Sequence, residues 1–217
     1  MKNMKKMLLC LMAAATVICG CRNSGECRIS GTVNGEQYEG KRIFLVPLYG
    51  PATAETVDSV EIKNGKFAFT PDSMQMYKIL LDYHFRFGLQ PLLVVGEPGD
   101  ITVTIDSISH AYGTPQNDSL EQWKTHKEMH DKQLLMMRKN IENLKMAGRM
   151  EEADSLKQYA DSFHLVHKNY TRRMAEDLKK GPLHEFLKSL YPLTYQRKFP
   201  DGRTVTMNAD TNEEIPE

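Results

Sequence analysis

The sequence predicts an α+β chain: an N-terminal antiparallel β-sandwich or barrel of about seven strands, then a long antiparallel helical hairpin. Three observations carry this. Short runs of alternating apolar and polar residues fill the first half of the chain, and turn chemistry (Asn-Gly, Pro-Asp, Pro-Gly) separates them. From Asn117 the apolar period lengthens to about 3.5 residues, the spacing of packed helices.

The clearest local signal lies at 58–70. Val57, Ser59 and Glu61 alternate against Phe67 and Phe69 across Lys63-Asn64-Gly65-Lys66, and Asn-Gly supplies the positive φ angles of a two-residue hairpin turn. Strand-like runs fall at 27–33, 42–48, 56–62, 66–70, 77–82, 92–95 and 101–106. In the last, Ile101, Val103 and Ile105 alternate with Thr102 and Thr104, so one face is buried and the other wet. The nearly continuous apolar stretch 89–95 suits a central strand.

The order CRISGTV, GKRIFLVPL, DSVEIKNGKFAF, LLVVGEPGDITVTID, GTPQNDSLEQW resembles domain of unknown function family 4369, from residue 27 to about residue 123, with looser similarity in the helical part. Its most specific pieces are the Asp58-Ser59…Gly65-Lys66-Phe67 hairpin and the Glu97-Pro98-Gly99-Asp100 turn. The resemblance implies a lipoprotein of the Bacteroidota, of a kind often followed by a thioredoxin-like domain of the TlpA/ResA type. It brings no reaction and no functional residue with it. In the longer relatives the helices lead into a thioredoxin-like fold opening around an Asp-Gly-Lys turn, and residues 199–207 resemble that opening. The expectation is a standalone or truncated chain without the oxidoreductase half, and not an enzyme.

The N-terminus reads as an address. Lys2, Lys5 and Lys6 precede an apolar run of twelve residues, 7–18, too short to span a bilayer. Ile18-Cys19-Gly20-Cys21 resembles a bacterial lipobox, which makes 1–20 a signal peptide, Cys21 the lipidated residue and 21–26 a tether; the alternative is an ordinary signal cut near Gly20. The expected location is the cell envelope, lipid-anchored in the outer membrane, with no cofactor beyond the covalent lipid on Cys21. Cys27 then remains as a buried, inert thiol at the start of a strand; a Cys21–Cys27 disulfide or a mixed-disulfide contact through Cys27 are the other readings. There is no Cys-x-x-Cys. Removing Lys2, Lys5 and Lys6 leaves 25 basic against 28 acidic residues, a net charge of −3 that argues against a nucleic-acid partner.

The sandwich is expected over 27–115, the hairpin and a short closing helix over 116–191, and a polar, extended tail over 192–217. Asn117 or Asp118 reads as the first N-cap, with Glu121 behind Asp118 as in a capping box. Leu120, Trp123, Leu134, Met137, Ile141 and Leu144 form one seam, with Lys127 and His130 filling the missing turns. Ala153, Leu156, Ala160, Phe163, His167, Tyr170 and Met174 form the other, ending at Gly181-Pro182 as a C-cap. Reversal at Gly148 pairs Leu144 with Ala153, Met137 with Ala160, Leu134 with Phe163 and Lys127 with Tyr170 in a single register.

That register sets His130 against His167, with His126 and His164 about one turn before each. Two readings follow: a zinc or copper site on His130 and His167, or polar seam positions that repel one another when protonated below about pH 6. No carboxylate falls in the seam beside them, and His126 and His164 are not level. The run Tyr83-His84-Phe85-Arg86-Phe87 reads either as a buried strand pair or as an aromatic loop that grips a partner. Glu151, Glu152 and Asp154 near one helix start and Arg172-Arg173 towards its end complement the helix dipole. Hydrolase, Walker A and zincin motifs are absent; His126-Lys-Glu-Met-His130 has zincin spacing with its glutamate one place late. The functional expectation is a non-catalytic binding or assembly module with a membrane contact through its lipid and a protein or peptide partner; the alternative is an accessory of a thioredoxin-like oxidoreductase.

Overall fold

The structure is a computed structural model that describes residues 25–81 and 91–216. The signal segment, Cys21, most of the tether and the Tyr83–Phe87 run lie outside the described residues. Eight short strands build the N-terminal half: β1 (Cys27–Val33), β2 (Arg42–Pro47), β3 (Asp58–Glu61), β4 (Lys66–Phe69), β5 (Met76–Leu80), β6 (Leu92–Val95), β7 (Gly99–Ile105) and β8 (His110–Tyr112). Among the described residues they form two four-stranded sheets, ordered β4-β1-β7-β8 and β3-β2-β5-β6.

The inner faces meet in one core. Ile29, Phe67, Ile101 and Val103 come from the first sheet, Ile43, Leu45, Ile79 and Val94 from the second. This is a sandwich, not a closed barrel. Asn64 and Gly65 both take positive φ, 54° and 66°, as the expected turn requires. At Gly31 the Phe67 ring lies over the backbone, and a Cβ there would stand 2.0 Å from a ring carbon. Phe67 therefore packs across the sheet because its partner has no side chain.

Two strand expectations need correction. β1 and β7 pair in parallel, so the sheets are not wholly antiparallel; alternation along a strand marks its faces and says nothing of its neighbour's direction. The eighth strand, β8, is three residues long, too short to show a period.

β5 and β6 are buried on both faces. Val94 points into the sandwich while Met76 and Val95 point outwards, against Leu120, Trp123, Ala175, Leu183, Phe186 and Leu187 of three helices. These are α1 (Pro115–Met146), α2 (Met150–Leu178) and α3 (Pro182–Leu190). α1 starts earlier than expected: Thr114 is the N-cap and Pro115 occupies the first turn. Asn117 instead pins the helix to β6, receiving the Val95 N–H at 2.9 Å and donating to the Val95 carbonyl at 2.9 Å. The buried Glu97 carboxylate accepts the N–H groups of Gln116 and Asn117, at 2.8 and 3.3 Å, at the positive end of the helix dipole.

Towards the reversal, among the described residues, a separate cluster from the two long helices alone forms around Ile141, Ala153 and Ala160, with Leu134, Met137, Leu144 and Leu156 alongside. The seam expected from the sequence is present there, and Gly148 takes φ 73° at the reversal. At the far end of α2, Lys179 carries the positive φ and Gly181 is the N-cap of α3, so Gly181-Pro182 opens a helix and does not close one. The tail is also folded. β9 (Thr194–Lys198) and β10 (Thr204–Asn208) form an antiparallel pair, with Arg197 and Arg203 over the Phe199 ring and Met207 buried.

Candidate functional site

The histidines form a ladder through the lower half of the hairpin. Its lowest rung is a hydrogen bond, Trp123 Nε1 donating to Thr171 Oγ1 at 3.1 Å. One turn up, His126 stacks on Tyr170 with ring centroids 3.9 Å apart, and its Nδ1 lies 3.0 Å from His167 Nδ1. On the next turn His130 stacks between His167 at 4.2 Å and Phe163 at 5.1 Å. His164 Nδ1 is 3.3 Å from His130 Nε2, and His130 Nδ1 is 3.0 Å from Asp131 Oδ1. Tyr191, just past α3, stands perpendicular to both His164 and His167.

The network fixes the protons. Asp131 accepts only, so His130 carries its proton on Nδ1 and accepts at Nε2 from His164 Nδ1–H. Of His126 and His167, one Nδ1 donates and the other accepts. His167 Nε2 is buried and has no hydrogen-bond partner among the described residues. The upright Tyr191 ring, 5.8 Å from the imidazole and at 88° to it, is the arrangement in which a ring N–H can face a π cloud instead. With Nε2 protonated, His167 Nδ1 accepts from His126. One proton per imidazole satisfies the ladder, and a second on His167, at Nδ1, would set its N–H against that of His126.

Electrostatics agree. Burial, reinforced by the neighbouring imidazoles, lowers the pKa of His167 from 6.5 to about 4. Burial and His130 lower those of His126 and His164 as well. Burial raises the Asp131 carboxyl, but the Lys127 and His130 hydrogen bonds outweigh it and leave the group below its usual range.

Sequence reasoning found His130 and His167 and placed two neighbours wrongly. His126, not Lys127, meets Tyr170, and Lys127 turns outwards to pair with Asp131. A carboxylate does stand beside the ladder, since Asp131 follows His130 directly. His126 and His164 do not meet each other; each bonds the seam histidine of the opposite helix. Missed altogether was the Asp210 clamp. Arg172 Nη1 reaches Asp210 Oδ2 at 2.6 Å, Lys168 joins it, and together they hold the carboxyl down at about 2. No local pattern marks a partner 38 residues away in a polar tail.

The rings of His130 and His167 lie face to face, 14° from parallel, so their in-plane lone pairs run side by side and do not converge on one ion. Among the described residues no three or more His, Cys, Asp or Glu side chains are arranged to hold a metal. Cys27 lies in the sandwich core, and burial pushes its thiol up, away from the nucleophilic thiolate.

Residues 27–120 match the family model described as Domain of unknown function (DUF4369). The sandwich is a DUF4369 domain. The match takes in all eight strands and ends in the first turns of α1, so the histidine ladder lies outside it. No curated protein and no solved structure matches the chain. Among the described residues no helix is long and apolar enough to cross a membrane.

Proposed function

We propose that this chain is a non-catalytic binding or assembly module of the bacterial cell envelope, held at the outer membrane by a lipid on Cys21, with the helical hairpin as its recognition element. The observation that carries the reading is the distal half of that hairpin. Among the described residues, the buried cluster of that half is made of side chains from the two long helices alone. Two helices of 32 and 29 residues, roughly 45 Å long at 1.5 Å per residue, therefore offer their outer surface to a partner. The lipobox-like Ile18-Cys19-Gly20-Cys21 and the short apolar run before it support the anchor. The alternative, an accessory of a thioredoxin-like oxidoreductase acting through Cys27, is disfavoured by the burial of that thiol at 7% exposure.

The test is crosslinking in cells followed by capture, comparing the full chain with one in which 134–160 is replaced by a short glycine-rich turn. That change leaves the base of the hairpin on the sandwich. Partners recovered with the full chain and lost with the shortened one are the expected result. Recovery of the same partners by both would move recognition to the DUF4369 domain, and acylation found elsewhere than Cys21 would overturn the anchor.

A further inference from the structure

The helices pack on the outer face of β5 and β6. The outer face of the other sheet, β4-β1-β7-β8, carries exposed side chains across its middle, and its registers line them up in rows. Thr32 on β1 pairs with Thr104 on β7, and Thr104 with His110 on β8. Beside this row, Ser30 pairs with Thr102 and Thr102 with Tyr112. Each row is thus two hydroxyls followed by an aromatic ring. Neighbouring strands lie about 4.8 Å apart, so a row spans about 10 Å, and the two rows stand about 6.7 Å from each other.

Three features distinguish this face from a sheet surface that merely meets water. Among the described residues, none of the four hydroxyls has a hydrogen-bond partner in the protein. The imidazole that ends one row is held in place. Its Nδ1 donates at 2.6 Å to the buried Glu121 carboxylate, which Lys124 and the Ala111 N–H also bind. Nδ1 therefore carries the proton, and His110 Nε2 keeps its lone pair for an outside donor. Tyr112 stacks on that imidazole at 5.7 Å and is 46% exposed. The face is also nearly neutral. Of its outward strand positions, Arg28 is paired with Asp100 and Glu26, Lys66 at the β4 edge is the remaining charge, and Ala68 is the one aliphatic side chain. Other strands put charge at exposed positions, as at Arg42, Glu61, Arg197 and Lys198.

We infer that this face binds a neutral glycan laid across the strands. Its hydroxyls meet those of Ser30, Thr32, Thr102 and Thr104 and the Nε2 of His110, and one pyranose ring lies against Tyr112. A sugar hydroxyl donates and accepts at once, as a Ser or Thr hydroxyl does, so these contacts form without a fixed direction of the ligand. A pyranose offers a C–H face to an aromatic ring and hydroxyls to polar groups, and tyrosine combines a large apolar surface with a polar tip. A protein partner would find a single alanine to bury here, and a polyanion would find no cluster of cations. The three strands give a width that a di- or trisaccharide spans. This surface belongs to the DUF4369 domain and lies outside the hairpin, so it gives the chain a second ligand whatever the hairpin recognises.

The test is titration of the full chain in mild detergent with neutral hexasaccharides of glucose, mannose and N-acetylglucosamine, each to about 10 mM, followed in amide NMR spectra. At least one of the three is expected to shift amides of β1, β7 and β8 and to leave those of α2 in place. Tyr112→Ala should weaken that binding about tenfold. Thr102→Val and Thr104→Val keep the branched shape and delete one hydroxyl, and each should weaken it about fivefold. Lys157→Glu on the hairpin should leave it unchanged, and the same spectra report whether each variant keeps its fold. No shift with any of the three sugars, shifts confined to another surface, or an affinity that ignores Tyr112 and both threonines overturns the inference.

Discussion

The sandwich and the hairpin are held together in different ways. In the sandwich, aliphatic side chains from two sheets fill the space between them, and Ile29, Ile43, Leu45, Val94, Ile101 and Val103 are each at most 1% exposed. In the hairpin a seam one side chain wide does the work, and above the Trp123–Thr171 rung its most buried positions are Ala153, His167, His130 and Ala160. Such a seam excludes less apolar surface per residue than a two-sheet core. It depends on hydrogen bonds between neutral imidazoles, which acid removes. Stability of the hairpin is thus conditional on pH through groups that the aliphatic two-sheet core does not contain.

The largest effect should come from emptying the thicker core. Leu45→Ala is expected to cost about 2–5 kcal/mol, whereas Leu156→Ala at the half-open seam should cost about 1 kcal/mol. Urea titrations followed by circular dichroism would show it, and equal losses would erase the contrast. Next comes acid. A histidine whose folded pKa lies below 6.5 takes up its proton more readily when unfolded, so its contribution is complete above pH 6.5, declines as pH falls towards the folded value, and then levels off. For His167, lowered to about 4, the loss between pH 6.5 and 4 is about 3 kcal/mol. Fluorescence of Trp123, the single tryptophan and part of the lowest rung of the ladder, should report it as pH-dependent opening. His167→Phe should remove most of that dependence; an unaltered profile would mean the ladder is not its source. The smallest effect concerns the tail. Asp210→Asn should release β9 and β10 from α2 at a cost of about 1 kcal/mol, since the carboxylate is partly solvated. Because the Asp210 pKa is lowered to about 2, this stabilisation is present above pH 3.8 and fades as pH falls through 2. Faster amide exchange in β9 and β10 alone is the expected reading.

The same contrast explains what the sequence could reveal. Alternation and Asn-Gly chemistry mark strands whatever their partners, so seven strand runs were visible, while the parallel pairing of β1 with β7 depends on chain packed 72 residues away, Ile29 beside Ile101. The distal seam was legible because Leu134, Met137, Ile141 and Leu144 repeat without interruption. Near the base the apolar repeat is broken by Lys127 and His130, and the choice between His126 and Lys127 at the seam turned on stacking against Tyr170, which no period encodes. Asp131 was hidden for a simpler reason. It lies outside the stripe and reaches the ladder through the side of the His130 ring.

The position of β1 has a mechanical consequence. It lies inside its sheet, antiparallel to β4 on one edge and parallel to β7 on the other, and it begins at Cys27, six residues after Cys21. Tension applied to the chain ahead of Cys27 runs along the strand and loads both ladders in shear, with many hydrogen bonds sharing the force. An edge strand pulled from its end would instead peel away one bond at a time. Whatever holds the N-terminal end of this chain therefore pulls on the element of the sandwich best placed to resist it.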